Sequence, residues 1–170
     1  MSDIINKVKE ERTLLEKIVS YVPGYHGYKE KELRREADKI VREYTVNKLN
    51  EIKTILNDVF KEIADSNDVE TFSTANRVSA VLDRLINKIE HANYGYSGFF
   101  DAVKVKEEKL DKLLEFDYTI LENINSLRDK ANNILVQENK KRTLEDFRKK
   151  LIELENAFNQ RNEVIFEVSK

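Results

Sequence analysis

The chain contains no cysteine, a single proline and four glycines. The first absence excludes disulfides and thiol chemistry and fits a reducing compartment. The scarcity of proline and glycine leaves little to interrupt long helices. No run approaches the ~18 apolar residues of a membrane span. The opening MSDIINKVKEE has no apolar signal core, so a cytoplasmic location is the expectation. Charge asymmetry is also missing. Residues 1–85 carry 15 basic and 16 acidic side chains, as do residues 86–170, and the formal net charge is −2. A nucleic-acid binder would show a clustered positive excess. A membrane-surface helix would pair a basic polar face with a bulky apolar one, and no segment does. Neither nucleic acid nor membrane is an expected partner.

What the chain does have is helical periodicity. Charged residues make up 36% and hydrophobic residues 40%, a balance that suits long helices with one wetted face. Apolar steps of three and four predict helices over about 3–20, 29–64, 69–92, 104–137 and 143–168. Together they form one all-α domain over 1–170, a bundle of four or five long, mostly antiparallel helices. Ser2 is a candidate cap for the first, Asp65, Ser66 or Asp68 for the third, and Thr143 with Asp146 resembles a capping box for the last. Sustained heptads over 110–134 and 144–165 predict an elongated, coiled-coil-like C-terminal hairpin or an oligomer seam. No repeat and no strand pattern stands out.

Every glycine, the proline and both histidines fall in two segments, PGYHG and HANYGYSG. The first precedes the helix at 29–64 and the second follows the helix at 69–92. A short connection makes those helices antiparallel, which brings both segments to one end of the bundle. The end of the first helix and the start of the helix at 104–137 are expected there too. The bland interpretation is an aromatic plug over the core, with glycines at helix ends. The functional one is a ligand site or contact surface formed by Tyr25, His26, Tyr28, Arg34, Arg35, His91, Tyr94, Tyr96 and Phe99. Two helix N-termini near Lys29, Lys31, Arg34, Arg35 and Lys104 would favour a small anion. The phosphate-binding fingerprints GxxxxGK[ST] and GxGxxG are absent. His26, His91 and Asp101, with Glu32 or Glu90 nearby, are the candidate metal ligands. The Glu-x-x-His pairs of di-iron bundles are absent, because Pro23 and Lys88 stand three residues before the two histidines. No metal and no cofactor is therefore assigned.

Charges within the helices need a separate account. The run KEKELRREADKIVRE mixes favourable and like-charged neighbours and suggests a solvated face with some cross-helix pairs. Asp117 is different, since it occupies a core position in LLEFDYTILENI. A buried carboxylate needs a partner. Its depth, ~18 Å from the start of its helix, corresponds to Arg42, or to Arg77 and Arg84. Asp117 with Arg42 or Arg84 is the expected register-fixing ion pair. Arg161 is the matching anomaly in the last helix and a further candidate partner.

PGYHGYKEKELRREAD and ANYGYSGFFD together resemble signature stretches of a set of prokaryotic helical proteins with no assigned activity. In that set a Gly-Tyr-x-Gly-Tyr turn leads into a Glu-x-Arg-Arg-Glu-x-Asp helix, and a Gly-Tyr-x-Gly-Phe-Phe-Asp turn follows later. The matching positions are Gly24, Tyr25, Gly27, Tyr28, Glu32, Arg34, Arg35, Glu36 and Asp38, then Gly95, Tyr96, Gly98, Phe99, Phe100 and Asp101. The resemblance implies that the two segments act as one unit, and it implies no enzymatic activity. The expected function is a non-catalytic interaction or scaffold module, with a protein partner or self-association. A metal- or phosphate-dependent enzyme or small-ligand binder at the same cap is the alternative.

Overall fold

A computed structural model describes residues 1–168 and is all-α, with no strand among the described residues. Its helices are α1 (Ser2–Tyr21), α2 (Arg34–Asp65), α3 (Val69–Glu90), α4 (Ser97–Asp101), α5 (Glu107–Asn132) and α6 (Lys140–Val168). Single 3-10 turns sit at Lys31–Leu33, Ala92–Gly95 and Ile134–Val136.

Helix ends follow local chemistry. Asp68 caps α3, accepting from the Thr71 backbone N–H at 3.0 Å, as its residue type predicts. Ser2 lies inside α1 and makes no cap. The last helix starts three residues earlier than the Thr143 box implies. The Asn139 side chain accepts from the Arg142 N–H at 3.0 Å, and Thr143 Oγ1 instead donates to the Asn139 carbonyl. The helix expected from 29 begins in regular form only at Arg34, because Glu30 is extended and Lys31–Leu33 form a 3-10 turn; Lys29 reaches sideways to Glu11 at 2.6 Å. The helix expected over 104–137 is shortened at both ends, by an extended Lys106 and by the Asn133 C-cap.

Packing of the long helices forms a closed ring in the order α2, α3, α6, α5, with α1 outside it against α5. Cross-helix contacts give the directions. Lys53–Asp83 and Arg42–Ile89 set α2 antiparallel to α3. Asp117–Arg161 and Lys109–Glu167 set α5 antiparallel to α6. Residue numbers rise together for Tyr44–Asn125 and Arg128–Glu51, so α2 and α5 are parallel. Lys141–Glu70 and Arg84–Glu155 show the same for α3 and α6.

Residues 91–106 therefore join two helices that lie diagonally across the ring. Such a crossover must pass over the end of the core, which explains the aromatic and glycine content of HANYGYSGFF. The α1 helix corrects the expected topology. Lys7 meets Asp111 and Lys17 lies over Tyr118, so α1 runs parallel to α5. Its N-terminal half, rather than its C-terminus, lies at the crossover end. Residues 22–30 fold back along it as a strap. Gly24 and Gly27 adopt φ +92° and +74°, a backbone region that side chains disfavour.

The core has an apolar part and a mixed part. From α2 downward it is built of Leu49, Ile52, Leu56, Val59, Leu82, Leu85, Ile124, Leu151 and Leu154. Nearer the crossover it gathers Ile18, Tyr25, Tyr28, Val41, Tyr96, Phe99, Phe100, Leu113 and Leu121. The heptad positions of α5 and α6 are spent inside this one chain. Leu144, Phe147, Leu151, Leu154, Phe158 and Ile165 are all buried, each contributing about 1.5–3 kcal/mol of transfer free energy.

A buried polar network beneath the crossover

Where the strap and the crossover meet the ring, α2, α5 and α6 turn charged side chains inward. Asp38 and Arg42 come from α2, Asp117 from α5 and Arg161 from α6. Asp38, Asp117 and Arg161 have no exposed side-chain surface. Arg161 is the hub. Its Nε donates to Asp117 Oδ1 at 2.7 Å, and its Nη2 donates to Asp38 Oδ1 and to the Tyr28 hydroxyl, both at 2.9 Å. Arg42 Nε donates to Asp38 Oδ2 at 2.8 Å. The other Asp117 oxygen accepts from the Tyr25 hydroxyl at 2.7 Å and from the Tyr28 hydroxyl. Two carboxylates thus balance two guanidinium groups, the condition under which charge survives burial. Among the described residues, Arg161 Nη1 finds no acceptor, while the guanidinium carbon lies 5.9 Å from the Phe158 ring centroid.

The protonation energetics follow from burial. Loss of water pushes the Asp117 carboxyl above its ordinary 3.8, against the pull of Arg161 and the two tyrosine hydroxyls. Desolvation raises Tyr25 and Tyr28 well above ordinary tyrosine values. It pushes Tyr96 up to about 12. Burial opposes the charge on Arg161, yet the Tyr28 hydroxyl and the two carboxylates outweigh it and keep the residue cationic. None of these tyrosines is poised to ionise near neutral pH.

Arg34 joins the two glycine-aromatic segments. It is buried at the start of α2 and donates to three backbone carbonyls. These belong to Tyr28 at 2.9 Å in the strap, and to Ala102 at 2.6 Å and Phe99 at 3.5 Å in the crossover. The Tyr28 and Phe99 rings meet edge-on at 5.7 Å. Arg35, exposed, stacks its guanidinium 4.5 Å from the Phe100 centroid. Tyr96 donates to Asn162 Oδ1 and packs against Phe100 and Phe166.

The candidate residues therefore separate into two groups. Tyr25, Tyr28, Arg34, Tyr96 and Phe99 converge and are buried. As buried groups they do not form the outward contact surface that their composition suggested. His26, His91, Tyr94 and Asp101 are exposed. His91 places Nδ1 2.8 Å from its own helix's Asn87 carbonyl and stacks on Tyr94 at 6.1 Å. Among the described residues, no group of three or more His, Asp or Glu is arranged to hold a metal ion.

Two expected ion pairs change partner. Asp117 pairs with Arg161, rather than with Arg42 or Arg84. Arg42 turns to Asp38 on its own helix. Arg84 reaches across to Glu155 of α6, with bonds of 3.2 and 2.6 Å. Arg42 stands at the expected depth but on another face, whereas Arg84 meets α6 six residues before Arg161, about 9 Å further from the crossover. The solvated-face reading of KEKELRREADKIVRE holds for Glu32, Arg35, Glu36, Lys39 and Glu43 and fails for Arg34, Asp38 and Arg42, which are buried. The missed hub residue is Asp38. Its signal was present in the spacing Arg34, Asp38, Val41, Thr45, an inward stripe of threes and fours.

No family model, no curated protein and no solved structure matches this chain.

Proposed function

We propose that this chain is a non-catalytic helical interaction module of the cytoplasm, acting through the bundle end that carries the crossover. One observation carries the reading. The groups there that could do chemistry, Tyr25, Tyr28, Asp38, Asp117 and Arg161, are buried and bonded mainly to one another. A catalytic acid, base or nucleophile has to reach substrate, and a functional site normally opens into a cleft. This cluster instead resembles a register device, in which buried polar groups select one packing arrangement at some cost in stability. The same end also offers apolar side chains to solvent. Ile4, Ile5 and Val8 on α1 are more than half exposed.

The test is native mass spectrometry of untagged protein purified without chelator. The reading expects the apo mass of the chain or of its assemblies. A stoichiometric non-protein mass that disappears in His26→Ala or His91→Ala, with the helical circular dichroism retained, would overturn it. That result would instead support the metal- or phosphate-binding alternative.

A further inference from the structure

Of the long helices, α1 is the least integrated. Among the long helices it packs chiefly on α5, outside the ring, with the strap folded along it, and Ile18 is its only buried residue. Along its first half, Ile4 is 68% exposed, Ile5 51% and Val8 55%. Beside this tip lies a groove of about 320 Å³ between α1, the strap and α5. Its apolar walls are Val8 and Leu15 of α1 and Leu110 and Leu114 of α5. Protein interiors are close-packed, so an apolar tip and an apolar groove side by side on one helix suggest reciprocal filling.

Resting on the interaction reading above, we propose that the partner is a second copy of this chain, bound through an antiparallel α1–α1 contact with its two-fold axis near Lys7. The geometry of knobs into holes supports the pairing. A knob from one helix enters a hole formed by four residues of the other. The α1 residues lining the groove are Val8, Glu11, Arg12 and Leu15, whose spacing of i, i+3, i+4 and i+7 is such a hole. The antiparallel register that seats Ile4 there also sets Asp3 opposite Arg12 of the second copy. Two-fold symmetry repeats both contacts. Arg12 is 81% exposed, and its ion pair is a 3.5 Å contact to Glu16 on its own helix, so it is available to Asp3. The axis falls between Lys7 and Val8, where the Lys7 side chains of two copies would repel. The Lys7 charge is already held by Asp111 at 2.8 Å.

Sedimentation equilibrium over a concentration series, on full-length untagged protein, tests the proposal. Wild type should show a reversible monomer–dimer equilibrium. Ile4→Glu should weaken it by about tenfold or more, as loss of a central apolar contact does. Asp3→Arg and Arg12→Asp should each weaken it, and the double variant should recover most of the loss. All three positions of change are on the surface, so circular dichroism should stay unaltered. A strictly monomeric wild type overturns the proposal. So does a dimer indifferent to Ile4→Glu and to the charge exchange. Neither result bears on the non-catalytic reading, which fails only on a bound non-protein mass.

Discussion

Asp117 and Arg161 show how much a single buried charge demands. Each is fully enclosed, and each is the other's counter-ion. Asp117→Asn keeps the shape but leaves Arg161 undercompensated, and it replaces an acceptor of two tyrosine hydroxyls with an amide. The expected loss is about 3–5 kcal/mol, the usual cost of breaking a buried pair from one side, measured by urea unfolding. Replacing both partners together, as Asp117→Leu with Arg161→Met, should cost less than the sum of the single changes, because neither charge is left stranded. Strict additivity would show that the two side chains are not coupled. Gly27 is a second residue-scale requirement. Its φ of +74° is disfavoured for any side chain by about 1–2 kcal/mol. A Cβ there would lie 3.7 Å from Leu15 Cδ1, an ordinary contact. Gly27→Ala should therefore lower stability by about that backbone amount and no more; a larger loss in the urea midpoint would mean that steric crowding dominates. These residues also mark what was legible in the sequence. Asp117 and Arg161 stood out because each interrupts an apolar heptad. Asp38 did not, because the surrounding exposed charges hid its inward position.

At the scale of elements, helix existence was readable from periodicity, and helix ends only where a local cap such as Asp68 sets them. The start of α2 lies instead among contacts made across the fold, such as Arg34 on the Ala102 carbonyl. The α3–α6 contact gives this scale a measurable consequence. Glu155, buried on α6, accepts from Arg84 and from Lys88, the latter at 2.6 Å. The Arg84 hydrogen bond, helped by Lys88, holds its carboxyl below the ordinary 4.5. A depressed carboxylate stabilises the folded state above its unfolded pKa, and this stability disappears as pH falls through the folded value. Wild type should thus lose stability below pH 4.5 partly through this group. Glu155→Gln should be less stable at neutral pH and show a shallower acid loss when urea midpoints are compared across pH. Parallel profiles for the two proteins would remove Glu155 from the account.

The whole molecule turns on its diagonal crossover. A four-helix ring whose second and third long helices lie across from each other needs a connection that covers the core end without leaving backbone groups unpaired. This chain meets the demand from two distant stretches, the strap at 22–30 and the crossover at 91–106, joined through Arg34. The sequence announced that the two stretches meet, since every glycine and five of the seven tyrosines lie in or beside them. It did not announce that α1 runs parallel to α5, because a turn signal such as Pro23-Gly24 says where a chain bends and not how far it returns. If Arg34 is the clasp, its loss should loosen both stretches together although they are far apart in sequence. Arg34→Met leaves the Tyr28 and Ala102 carbonyls without their guanidinium donor, and should cost about 1–3 kcal/mol. Hydrogen exchange followed by mass spectrometry should then show faster exchange in 22–30 and in 91–106, with amides of 49–59 in the apolar part of the core unchanged. Faster exchange confined to the first turn of α2 would mean that the aromatic contacts of Tyr28 with Phe99 hold the two stretches without it.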